Sequence, residues 1–335
     1  MMTLRLMQAV VATVDDKWES PLADELLARW AHDGWRAKFW RASTNFVFFF
    51  KNAGQDYVLR FNHADERTAA MIEAEVAVVN ALAAQGVRVA KPMRSLAGHY
   101  VESVETDHGL FHAVVFVALP GKQLELEDLT PAQVARWGQA LGELHNATAQ
   151  LSYTGRPTWA EQLQWVDQIL PVEEMAARQT LVTLQQQLHQ LPTTGATVGL
   201  IHYDFELDNL FWDGEQIGLI DFDDSAVYPF VADLAFALSD LFDDNPAQVD
   251  LQQETFLHFV AGYRSVRPVA EEELQLIPLF LRVQNLVTYA RLHRALTPVN
   301  PAGELPWMAG LREKLAAKMN FYRTEFKREL SSGAL

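Results

Sequence analysis

The strongest constraint on the fold is a change of texture at "LPGKQLE" (119–125). Before it, hydrophobic residues come in short runs rich in aromatic and β-branched side chains: "AKFWRAS", "FVFFFKN" and "DYVLRFN". After it they recur at helical spacing over long segments. One element type cannot serve both periods, and a Pro-Gly step interrupts either. The chain is therefore expected to divide into a strand-built N-terminal lobe (1–118), a hinge or linker (119–125) and a mainly helical C-terminal lobe (126–335). Its 335 residues, 49% of them hydrophobic, suffice for two packed lobes.

Within the first lobe, Leu22, Leu26, Leu27 and Trp30 share one side of an expected first helix at 21–35. A three-strand meander follows over 37–62, with "NAGQ" as a hairpin turn. "DERTAAMIEAEVAVVNALAAQG" (65–86) reads as a helix that ends at Gly86. Two further strands, near "HYVESVET" and "LFHAVVFVAL", flank the turn "DHG". In the second lobe, helices are expected near 131–150, 158–168, 171–191, 230–243, 247–264, 270–295 and 307–330. Residues 197–228 are the exception: the short apolar segments "VGLI" and "QIGLID" bracket turn-rich pieces. The expected class is α+β, with about five antiparallel strands and one helix in the small lobe.

Several function classes fall away. There is no cysteine, hence no disulfide, thiol nucleophile or thiolate metal site, which suits a reducing cytoplasm. The start of the chain lacks the charged, apolar and small-residue pattern of a secretory leader. No uncharged apolar run approaches the roughly 18 residues of a membrane span. The formal net charge is −16 and no basic stripe marks a nucleic-acid surface. Such acidity suits a solvated surface or attraction for a cationic substrate.

The chemistry concentrates in the strand-like insert of the second lobe. Residues 202–209 read "HYDFELDN", and "LIDFDDS" (219–225) follows. Local turns would explain each cluster separately. They do not explain the ordered pattern His202-x-Asp204-x4-Asn209, with Asp221 twelve positions on. Phosphoryl transfer needs a carboxylate near the attacking hydroxyl, oxygen ligands for Mg²⁺ and positive charge on the phosphates. Asp204 can supply the first. Asn209 and Asp221 can supply the second, because Mg²⁺ takes hard oxygen donors and uses few protein carboxylates.

On these residues the chain resembles the aminoglycoside phosphotransferase and choline kinase superfamily, which has a protein-kinase-like fold. The resemblance runs from about residue 22 to 300 and is strongest over 200–238. It implies ATP and Mg²⁺ as cofactors and a small-molecule hydroxyl as acceptor. Asp204 takes the position of the catalytic base; Asn209 and Asp221 take those of the metal ligands. Asp233, in "ADLAFAL", takes the place of the residue that holds the catalytic loop from below, and is also a natural first-turn acid of a helix. Arg60 stands where the family puts its phosphate-contacting base. An acid on the next helix should pair with it: Glu75, with Glu73 as the fallback on a different face. Ser43, Thr44 and Asn45 fall in the phosphate-covering loop, and backbone around Val117 and Leu119 falls where the family binds adenine.

The sequence also departs from the family. Tyr203 replaces the usual glycine of H-G-D, and Glu206 and Asp208 add carboxylates that either recruit a cationic substrate or shape the loop. His202 reads as a structural hydrogen-bonding residue, and His145 as a packed core histidine. Asp223 and Asp224 are extra acids, one of which could assist a second metal. His99, His108 and His112 look metal-like only as a group in the sequence. The leading expectation is an ATP- and Mg²⁺-dependent kinase of a small hydroxylated metabolite; aminoglycosides, choline-like amines, amino-acid alcohols and sugars all fit. The alternatives are a protein Ser/Thr kinase, disfavoured by the dozen residues between Asp221 and Asp233, and a nucleotide-binding protein without catalysis.

Overall fold

A computed structural model describes residues 1–151, 155–192, 196–296 and 306–332. The chain opens with two short helices, α1 (Leu4–Val11) and α2 (Pro21–Leu27). Helix α1 is not among the sequence expectations. Helix α2 starts at Pro21, whose missing N–H is harmless in a first turn, and the Ser20 side chain accepts from the Ala23 amide at 3.4 Å. It stops well short of residue 35. Gly34, at φ +75°, lies in the turn that leads to the sheet.

The meander follows as β1 (Lys38–Ala42), β2 (Phe46–Asn52) and β3 (Gln55–His63), then α3 (Ala69–Ala84), β4 (Pro92–Met93), β5 (Val101–Thr106) and β6 (Gly109–Val117). All pairings are antiparallel, in the order β1-β2-β3-β6-β4, with β5 also on β6. Six strands therefore stand where about five were expected; β4 has two residues, too few for a periodic signal. Alternation separates the two faces of the sheet. Phe46, Phe48, Leu59, Phe61 and Phe111 pack under α1 and α2, and Met308 of the last helix joins this core. On the other face Val114 and Phe116 meet Ile72 and Val76 of α3. Arg60 lies opposite Val47 on one side and Val114 on the other.

The large lobe is built from α4 (Pro131–Thr148), α5 (Trp159–Ile169), α6 (Met175–Gln190), α7 (Phe230–Ala237), α8 (Glu254–Arg264), α9 (Glu271–Leu274), α10 (Ile277–Ala295) and α11 (Pro306–Ser332). Helices α4 and α8 approach so closely that a Cβ at Gly138 or Gly262 would overlap the carbonyl of Phe259 or Ala135. The expected helix over 270–295 is two, because Pro278 opens α10 in its first turn and could not continue an earlier helix. Helix α7 ends at Ala237 and α8 begins only at Glu254, since 3-10 turns at Asp240–Phe242 and Pro246–Gln248 fill the interval. Between α6 and α7 run four short strands. These are β7 (Val198–Ile201), β8 (Leu210–Asp213), β9 (Gln216–Leu219) and β10 (Ala226–Pro229), paired as β7 with β10 and β8 with β9. Among the described residues, no helix is long and apolar enough to cross a membrane.

Candidate active site

The two pairs of short strands leave the polar clusters on their connections. His202 and Asp204 follow β7, Asn209 closes a 3-10 turn just before β8, and Asp221 follows β9. Asp233 of the buried helix α7 lies beneath them. One of its oxygens accepts the His202 amide and the other the Tyr203 amide, each at 2.8 Å. His145 Nε2 also reaches it at 3.0 Å. This grip holds Tyr203 at φ +76°, a left-handed conformation in which a bulky residue is uncommon. The fixed amides and aromatic packing on Tyr228 and Phe236 sustain this conformation.

His202 is fully buried, and burial pushes its pKa down. Its Nδ1 accepts the Asp204 amide at 3.3 Å and its Nε2 faces the Ile220 carbonyl at 3.0 Å. A neutral ring protonated at Nε2 satisfies both contacts, so neither nitrogen is left to take a proton from a substrate. His145 is likewise enclosed, between Tyr263 at 2.8 Å and Asp233.

Asp204 receives the Asn209 side-chain amide on its carboxylate and on its carbonyl, both at 2.9 Å. Burial, then Asp224 and Asp223, raises its pKa to about 6 against the opposing pull of Arg291. Because Asn209 spends its NH₂ on Asp204, its Oδ1 turns away, buried and without a partner. Asp221 stands at φ +62° and is also pushed up, first by burial and then by Asp223. Among the described residues its oxygens meet only arginines, Arg60 Nη1 at 3.1 Å and Arg41 Nη2 at 3.7 Å. An orphaned amide oxygen together with a carboxylate held only by cations is a donor set that fits a hard divalent ion. Among the described residues, no cluster of three or more His or acidic side chains forms a metal site, the His99, His108 and His112 group included. His112 is instead turned to Ser103 at 2.8 Å.

In the small lobe Arg60 is buried between Glu75 of α3 and Asp221, and its guanidinium lies 5.0 Å from the Phe116 ring. Glu75 is the partner and Glu73 lies on the exposed side. The loop before β2 points partly inward. Asn45 donates to Asp223 at 2.9 Å, the Thr44 carbonyl accepts from Asn62 at 3.0 Å, and the Ser43 amide is spent on the Asn45 carbonyl at 3.2 Å. At the hinge, the Val117 amide bonds to the Lys91 carbonyl and that of Ala118 to the Asp56 carbonyl. A cavity of about 1110 Å³ lies against the hinge, walled by Val117, Leu119, Arg88 and Leu144; Asp204, Asn209 and Asp221 do not line it. Volume therefore does not mark the chemical centre; the cluster of orphaned and shifted groups does.

Glu206 lies close enough to Asp204 to feel its charge. Burial, followed by Asp204, Asp240, Asp244 and Asp208, pushes its pKa up to about 8. Asp208 is exposed, and its carbonyl accepts from Gln123. Asp223 and Asp224 are not free for a second metal. Arg67 reaches them at 3.1 and 2.8 Å, and Arg291 holds Asp224 at 2.9 Å. Burial raises both acids, but the arginines outweigh it and hold them below the usual range. Sequence reading passes over Arg41, Arg67, Arg156 and Arg291, whose partners lie more than sixty positions away and carry no spacing signal.

Known proteins resemble this chain over most of its length. The profile of the phosphotransferase enzyme family matches residues 36–269. The amicoumacin kinase of Bacillus subtilis (strain 168) is 27% identical over 312 residues, covering 89% of this chain and 92% of that protein. Among solved structures, an amicoumacin kinase in complex with AMP-PNP, Ca²⁺ and Ami superposes with a TM-score of 0.77 at 24% identity, over 96% of each chain. A microcompartment-associated aminopropanol kinase does so with a TM-score of 0.70 at 22% identity, over 93% of this chain and 97% of that one. Both show the protein-kinase-like fold. The chain belongs to the phosphotransferase enzyme family.

Proposed function

We propose that this member of the phosphotransferase enzyme family moves the terminal phosphate of ATP to a hydroxyl of a small, amine-bearing molecule, with Asp204 as base. The observation that carries the reading is the pair Asp204 and Asn209. The carboxylate is held by the asparagine amide, and burial with the neighbouring acids raises its pKa to about 6. As the acceptor oxygen attacks the terminal phosphorus, its proton passes to Asp204. The bond from phosphorus to the bridging oxygen breaks, and ADP leaves. Asn209 Oδ1 and Asp221 would hold the divalent ion, which when bound offsets negative charge on the phosphate oxygens. Arg60, presented by Glu75, meets the phosphates; Ser43, Thr44 and Asn45 shape the loop over them. The backbone of Val117 and Leu119 borders the adenine. His202 and Asp233 hold the loop.

The amine rests on charge and likeness. Glu206 feels the base Asp204 and then Asp240, Asp244 and Asp208, an acidic group that welcomes a cation and repels a phosphate. One structural neighbour acts on aminopropanol, a small amino alcohol by its name. Strand β10 runs directly into α7 after Asp221, leaving no segment to position a peptide, so a protein acceptor is not favoured. The lobes are taken as 1–118 and 126–335 joined at 119–125, and a cytoplasmic location suits the cysteine-free chain. Screening amino alcohols, hydroxy amino acids, sugars and intact proteins for ATP-dependent phosphorylation tests the reading. Turnover confined to neutral sugars or to proteins would refute the amine.

A further inference from the structure

The turn that follows Asp221 is gripped from both lobes. From the small lobe, Arg67 reaches Asp223 Oδ2 at 3.1 Å, the Asp223 carbonyl at 3.0 Å and Asp224 Oδ1 at 2.8 Å. From the large lobe, Arg291 of α10 holds the other oxygen of Asp224 at 2.9 Å. Arg156 donates to the carbonyls of Phe222, Asp223 and Ser225, and also to that of Met71 in the first turn of α3, at 2.6–3.2 Å. Arg67 itself stands immediately before Thr68, the N-cap of α3. The start of this helix is thus tied to the acidic turn by two separate guanidinium groups. Eight residues after Arg67, about 12 Å along a helix, Glu75 of α3 meets Arg60.

These contacts form one chain: Asp223 and Asp224 hold Arg67, Arg67 holds the start of α3, and α3 carries the acid that aims Arg60. In protein kinases, the pairing of the strand cation with the helix acid must be in place for catalysis, and helix placement governs it. Protein kinases set that placement with a modifiable segment. Here fixed aspartates supply the negative charge that a phosphate would.

We propose that Arg67 is a positioning residue for the nucleotide: by pinning α3 to the Asp223–Asp224 turn it keeps Glu75 on Arg60, so the phosphate site stands assembled without any activating modification. The proposal rests on the reading of Arg60 as the phosphate contact. Its test is a double-mutant cycle read by equilibrium titration with Mg²⁺ and a non-hydrolysable ATP analogue. Wild type, Arg67→Met, Glu75→Gln and the double variant are compared. Arg67→Met should weaken the analogue about tenfold in the wild-type background and hardly at all once Glu75 is Gln. The acceptor KM should stay within twofold in Arg67→Met. Arg67→Lys, which keeps the charge but loses the fork, should fall between and guards against loss of folding when two buried carboxylates are left bare. Equal losses for Arg67→Met and Arg67→Lys in both backgrounds, or none in either, would overturn the proposal alone. An unchanged affinity in Glu75→Gln would remove the premise that Arg60 serves the phosphates, and the proposal with it.

Discussion

Asn209 gives its side-chain amide to the Asp204 carboxylate at 2.9 Å and leaves its own Oδ1 buried and unpaired. One residue therefore orients the proposed base and leaves an oxygen donor free for the proposed metal. This relationship makes the two functions separable by substitution. Changing Asp204 should stop chemistry and spare nucleotide binding. Changing Asp221 should remove the metal dependence of nucleotide binding.

Asp204→Asn keeps the shape and removes the proton acceptor. Turnover should drop roughly 10²–10⁴-fold, with the affinity for Mg-ATP within a few-fold of wild type. Since Asp204 sits near 6 and acts when ionised, the wild-type kcat/KM for the acceptor should climb as pH rises through about 6 and level off above. A rate in Asp204→Asn above a tenth of wild type, or a pH limb near 4, would exclude this base.

Asp221→Ala should abolish the Mg²⁺ dependence of nucleotide binding. It also frees Arg60 and Arg41 from the carboxylate they share, so nucleotide binding without metal should strengthen. Titrating the nucleotide with Mg²⁺ and with chelator checks both directions. Identical metal dependence in the two proteins would show that Asp221 is not a ligand.

Asp233→Asn replaces an acceptor of three hydrogen bonds by a group that accepts on one side only. The buried Tyr203 amide or the His202 amide then loses its partner, at a cost of about 1–3 kcal/mol. Chemical denaturation should show that loss. The kcat should fall more than either KM, because the strained Tyr203 position next to the base relaxes. A variant as stable as wild type would mean that water or another group holds the loop.

The legible part of the fold was set by hydrophobic period. The aromatic runs of β1, β2 and β3 alternate faces and could be read directly, and so could α3, which packs the sheet through Ile72 and Val76. Helix α1 escaped because eight residues give little more than two turns of pattern, and β4 because two give none. In the site, Asp204, Asn209 and Asp221 stand out since their order survives in a short stretch of chain. The arginine clamp does not: Arg67 and Arg291 meet Asp224 across separations of 157 and 67 positions, contacts that only packing creates. Asp223 and Asp224 looked available for metal for the same reason, because the cations that occupy them are invisible locally.

Glu206 joins stability to specificity. Its folded-state pKa, about 8, lies far above the ~4.3 of a free glutamate. A carboxyl raised in this way favours the fold in its protonated form. That contribution is complete below about pH 4.3 and is lost as pH rises toward 8. Glu206→Gln preserves the neutral form at every pH. Its unfolding free energy should match wild type near pH 4 and exceed it increasingly toward pH 8, by an amount on the order of a few kcal/mol at most. The gain carries a functional loss. An ammonium brought beside Glu206 lets it ionise again, so an amine acceptor should release a proton from the enzyme on binding near pH 7. Calorimetry in buffers of different ionisation enthalpy detects that proton, and Glu206→Gln should abolish it while raising the acceptor KM about tenfold to a hundredfold, less at high salt. A variant that gains stability without losing acceptor affinity would leave Glu206 as a strained acid of the loop, and would pass the amine to Asp208 or Asp240.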